Sequence, residues 1–185
     1  MRIAVGLVLI SVLTWGCGGN KHSAEVDQIQ NCLKEAEVMK PRFDSIPHDE
    51  LLKVASITQL TMARFNRSYD GDLDKEQARI VSDFNDVKRL LKGYESQYNR
   101  ISDEFERTNS QIAALSETLK SGATLDAAGN KIDEAYVKKQ VDQECKVANS
   151  LAQEVTEFSE RGQRALSQFA IAKQPMDSLL NEILP

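Results

Sequence analysis

Few residues in this 185-residue chain could do specific chemistry: three cysteines, two histidines and one glutamate set among apolar positions. Cysteine can form a disulfide, hold a metal or act as a nucleophile, and each use needs particular company. No Cys-x-x-Cys occurs, and neither His22 nor His48 has a second histidine or a cysteine at helical spacing, so no metal site is expected. Asp70-Gly71-Asp72-Leu73-Asp74 invites a calcium reading, but it lacks the glycine at position six and the glutamate at position twelve of an EF-hand loop. It reads instead as a turn followed by a helix cap. No Gly-x-Ser-x-Gly, phosphate-cradling glycine loop or paired carboxylates are present. The expectation is a chain with no catalytic residue, no cofactor and no enzymatic activity. His48 reads as a surface residue at a helix start, and Tyr94, Tyr98 and Phe158 as core.

The elements that position these residues are written as two apolar seams. The first runs Ile80, Phe84, Val87, Leu91, Tyr94, Tyr98, Ile101, Phe105, Thr108, Ile112, Leu115, Leu119, in alternating steps of four and three. The second runs Val137, Val141, Glu144, Ala148, Leu151, Val155, Phe158, Gly162, Ala165, Phe169, Ala172. A period near 3.5 residues over several heptads predicts helices packed as a coiled coil. A further amphipathic stretch begins at Ser23, with Val26, Ile29, Leu33 and Ala36 on one face. It is disturbed at Pro41 and Pro47, restarts with Ser45 as a cap, and continues through Leu51, Val54, Thr58, Thr61 and Phe65. Asp72 or Asp74 caps the helix of the first seam. A tight reversal, a very short hairpin around Gly129, separates the seams, and Asp133 caps the next helix. Pro175 is expected to interrupt that helix. The fold class is therefore all-α: an elongated antiparallel three-helix coiled-coil bundle, kinked in its first helix near Pro41 and Pro47.

Composition agrees with such a fold. The hydrophobic fraction is 41%, the charged fraction 28% and the aromatic fraction only 6%, with a formal charge of −5. An acidic chain without a long basic run carries no electrostatic case for nucleic-acid binding. At the N-terminus, Arg2 precedes a short apolar stretch, residues 3–15, and then Gly16-Cys17. Thirteen residues are too few to span a bilayer comfortably. These 17 residues resemble a bacterial lipoprotein signal, with Thr14 and Trp15 standing where an aliphatic and a small residue are usual. The resemblance implies cleavage before Cys17, acylation (palmitate among the chains) of that cysteine, and, with Gly18 following it, sorting to the outer membrane. Residues 1–17 would be the signal, 18–22 a tether and 23–185 the helical domain.

Register then brings the remaining cysteines together. A reversal near residue 126 sets Phe105 beside Ala148, Leu91 beside Gly162, Val87 beside Ala165 and Ile80 beside Ala172, large against small. It also sets Thr108 opposite Glu144, so that Glu144 reads as one half of a polar layer, bonded to Thr108 or a lysine, and not as a general acid. If the first stretch runs antiparallel to the second through the turn near residue 70, Cys32 falls level with Asn109 and so with Cys145. In an oxidising envelope this predicts a Cys32–Cys145 disulfide. A first stretch doubled back on itself as a four-helix bundle would hold the two apart. The same levels place Pro47 near Gly93 and Gly162, so close approach of the kinked segment would account for both glycines. A lipid-anchored envelope protein follows, acting as a non-enzymatic structural or protein-interaction module on an envelope partner. Met176, Leu179, Leu180, Ile183 and Leu184 form the candidate docking face, unless they simply cover the end of the bundle beside Tyr69 and Leu73. The alternative is a periplasmic ligand-binding or inhibitor/immunity-type protein.

Overall fold

The computed structural model describes residues 22–126 and 129–183, and these form a helical bundle. Five helices follow one another: α1 (Ser23–Asp44), α2 (His48–Ser68), α3 (Lys75–Leu90), α4 (Tyr94–Lys120) and α5 (Glu134–Ile183). The 50 residues of α5 make a helix of about 75 Å at 1.5 Å per residue. Among the described residues no helix is long and apolar enough to cross a membrane. The segment between α4 and α5 contains one isolated antiparallel bridge, Leu125 to Lys131, closed around Gly129 at φ +82°.

Helix α1 packs on α4 and α5, α2 packs on α3 and α5, and α5 also contacts both α3 and α4. Every position of both seams is buried or partly buried. Three apolar clusters follow one another along α5. The first joins Val26, Ile29 and Ala36 to Ile112, Leu119, Val137, Val141 and Ala148. The second joins Phe43, Ile46, Leu51 and Val54 to Val87, Leu91, Tyr94, Ile101, Phe105, Leu151, Val155 and Phe158. The third joins Met62 and Phe65 to Phe84, Ala172, Met176 and Leu180.

Local chemistry sets several of the ends. Asp74 caps α3 in a reciprocal box: its side chain accepts from the Gln77 backbone at 2.9 Å while the Gln77 side chain accepts from the Asp74 backbone at 3.1 Å. Asp133 accepts from the Tyr136 backbone N–H at 3.0 Å at the start of α5. Other ends differ from the sequence reading. Ser45 closes α1 instead of opening α2, its hydroxyl donating to the Arg42 carbonyl at 2.8 Å. Pro47, which has no N–H to leave unpaired, stands at the N-cap of α2.

The two in-helix prolines correct the reading further. Pro41 lies within α1, and Pro175 lies within α5 without interrupting it. Each removes the hydrogen bond to the carbonyl four residues earlier, on Glu37 and Ile171, and both of these residues are exposed, so water can serve those oxygens. Conversely, the helix of the first seam is broken at 91–93, where Gly93 adopts φ +69°. A Cβ there would meet nothing within 4 Å, so Gly93 is required for its left-handed backbone and not for a close approach. Gly162 fits the close-approach reading: a Cβ would lie 3.0 Å from Leu51 Cδ1, at the start of α2.

Candidate functional site

Cys32 on α1 and Cys145 on α5 are joined in a disulfide with Cα atoms 5.3 Å apart, well inside the range a bridge can span. Both sulfurs sit against the Ile29, Ala36, Ile112, Val141 and Ala148 cluster. A bridge packed among aliphatic side chains is shielded from exchange and serves structure. Glu144 precedes Cys145 on α5, and Thr108 and Asn109 lie on α4. Thr108 is fully buried, yet among the described residues Thr108 Oγ1, Asn109 Oδ1 and Glu144 Oε2 have no hydrogen-bond partner, nor does Ser116 Oγ two turns further along α4. The bond expected from Glu144 to Thr108 or a lysine is therefore not made.

Burial pushes the Glu144 carboxyl above its ordinary range. A raised folded-state pKa means the folded chain favours the neutral acid. That stabilisation is complete below the unfolded value of about 4.3 and is lost as pH rises through the folded value. Glu144→Gln is accordingly expected to raise stability at pH 7 by up to about 1 kcal/mol and to leave it unchanged near pH 4. Urea midpoints at the two pH values check this.

A second concentration of side chains marks the break between α1 and α2. Phe43 stacks on Tyr98 (centroids 4.6 Å), Tyr94 stacks on Phe158 (4.9 Å), and Phe105 lies 5.7 Å from Phe43. His48, expected at the surface, is partly buried and stacks on Tyr98 at 3.8 Å, because opening α2 at His48 turns the imidazole onto the aromatic face of α4. The Arg161 guanidinium lies 5.3 Å over the Phe158 ring and donates to Gln97. Gln97 in turn donates to Glu154 at 3.0 Å, and Arg100 donates to the same carboxylate. Burial pushes the Glu154 carboxyl up, but those two hydrogen bonds and the charges of Arg100 and Arg161 outweigh it and hold it below its ordinary range. The Tyr94 hydroxyl is buried without a partner among the described residues, and burial first, Tyr98 second, push its pKa upward against the pull of Arg161. The rings cover one another, which makes this a junction of four helices and fits the reading of Tyr94, Tyr98 and Phe158 as core.

The candidate docking residues lie at the end of the bundle. Met176, Leu179 and Leu180 are buried, and Ile183 packs against the same cluster as Tyr69 and Leu73. The in-phase continuation of the second seam turns these side chains inward, where they cover the end of the bundle. Leu184 lies outside the described residues, as does Cys17. Among the described residues no group of three or more His, Cys, Asp or Glu is placed to hold a metal ion.

One recess escaped the sequence reading. Between α2 and the junction of α3 with α4 lies a cleft of about 450 Å³, lined by Ala55, Gln59, Asn85, Lys88, Arg89, Leu91, Lys92 and Gly93. Its signal in the sequence was three cations within five residues, set against a stretch, 51–69, that contains no acid. No family model, no curated protein and no solved structure matches the chain.

Proposed function

We propose that the chain is a lipid-anchored cell-envelope protein, held through acyl chains on Cys17 and acting as a non-enzymatic scaffold or interaction module for an envelope partner. In this reading the five helices work as three antiparallel rods of a coiled coil: α1 continued by α2, α3 continued by α4, and α5. The pairing of α1 with α4 and of α2 with α3, each pair closed by α5, supports that count. The observation that carries the compartment is the Cys32–Cys145 bridge, since structural disulfides persist chiefly in exported proteins. Several acyl chains would hold such a rod firmly, whereas one binds only marginally.

Expression of the full chain in a bacterial host with labelled palmitate tests the anchor. Label is expected in the wild-type chain, which should sediment with the outer membrane, and none in Cys17→Ala, which should be recovered in the soluble fraction. An unlabelled, soluble wild-type chain overturns the reading. The cleft beside α2 favours the second reading, a periplasmic ligand-binding or inhibitor/immunity-type protein, which retention of a small molecule through purification would support.

A further inference from the structure

The cationic cleft is the feature that neither the fold nor the anchor requires. Lys88, Arg89 and Lys92 bring three positive charges to its wall. Arg89 is bonded to Asp86, which offsets one charge. Among the described residues Lys88 and Lys92 have no ion-pair partner. Cations at the end of α3 complement its dipole, and that would explain them on a convex surface. It does not explain why the facing helix offers them no carboxylate. From residue 51 to residue 69, α2 and its end contain Lys53, Arg64 and Arg67 and no acid, in a chain whose net charge is −5.

The remaining wall suits the same ligand. Gln59 and Asn85 present amides able to donate hydrogen bonds, beside apolar surface from Ala55 and Leu91. At Gly93 the open backbone lets a ligand approach the start of α4 without meeting a side chain. That end of α4 has no side-chain cap. A volume near 450 Å³ lies within the range of small-molecule sites. Excess positive charge and amide donors favour an anionic ligand over an uncharged hydrophobic one, because an unpaired cation beside a lipid tail would lose hydration without compensation.

We propose that this cleft binds a compact soluble polyanion, a molecule carrying two or more phosphate or carboxylate groups, with Lys88 and Lys92 as its principal charge partners and Gln59 and Asn85 orienting it. The site is independent of the lipid anchor and of the scaffold reading, so either can fail alone.

Titration of the full chain, purified in detergent, with inorganic pyrophosphate at low salt tests the site. Saturable binding is expected, weakened about tenfold or more in Lys88→Ala/Lys92→Ala and less than about twofold in Lys138→Ala/Lys139→Ala, which removes the same charge from an exposed part of α5. Both lysine pairs are exposed, and matching thermal melts show that each variant is folded. No saturable binding, or equal losses in the two variants, overturns the proposal. A parallel arm uses vesicles of phosphatidylglycerol against phosphatidylcholine. Capture of the anionic vesicles without pyrophosphate binding also overturns it, in favour of a membrane surface as the occupant.

Discussion

Replacing Cys32 and Cys145 together by serine is expected to lower stability by about 3–5 kcal/mol and the melting temperature by roughly 10–15 °C. The bridged residues are 113 positions apart. Closing so long a loop removes much of the entropy of the unfolded chain, close to 5 kcal/mol on the chain-entropy model. The loss should also be local. In α1 only Val26, Ile29 and Ala36 are buried before the chain reaches Phe43, too little apolar surface to order nearly twenty residues unaided. Hydrogen exchange should therefore show the amides of residues 23–40 losing protection first, with those of α2 retained. A thiol count before and after reduction checks that the bridge is present. A melting temperature unchanged by the double substitution would show that packing alone holds α1 in place.

Phe158→Ala is expected to cost about 4 kcal/mol, with Phe158→Leu recovering more than half of it. The ring is buried, stacked on Tyr94, within 6.4 Å of Phe43 and Tyr98, and covered by Arg161. Truncation leaves a cavity where α1, α2, α4 and α5 meet, and it also removes the aromatic and cation–π contacts. Urea unfolding measures the effect: the midpoint should fall while the slope stays constant. A cost below about 1 kcal/mol would mean that the junction collapses around the missing ring. Phe158 and Cys145 are about 20 Å apart along α5, so the two losses should add. Their sum approaches the whole stability of an ordinary domain, and the combined variant is expected to be largely unfolded.

The scaffold of the candidate site was legible because it rests on counting. Cys32 and Cys145 could be matched from the turns at 70 and 126, since a helix advances by a constant rise and a seam tolerates no slip by part of a heptad. The cleft was not legible as a site. Lys88, Arg89 and Lys92 read as ordinary surface charge, and only the approach of Gln59 and Ala55 on α2, with the break at Gly93, makes a concavity there. His48 turns inward for a similar reason: Asp49 and Glu50 follow it in sequence, while its neighbours in space are Tyr94 and Tyr98. The 176–184 segment carries both readings in its own pattern, and only the tertiary structure shows Met176 and Leu180 buried against α2 and α3.

Residue spacing by itself determined which side of each helix faces inward, because helical periodicity is a property of the backbone and holds whatever the partner is. It also determined that two cysteines share a level. Asp74 and Asp133 marked the starts of α3 and α5 in the sequence, but only the tertiary structure decided that α5 runs through Pro175 and that the first seam breaks at 91–93. Pro175 costs about 3 kcal/mol in isolation, yet α5 continues through it, because Met176, Leu179 and Leu180 beyond it gain burial that outweighs the lost bond. At 91–93 no residue forbids a helix, yet the chain breaks there at Gly93. Local cost is written in the chain, but the compensation that overrides it comes from residues far away in sequence.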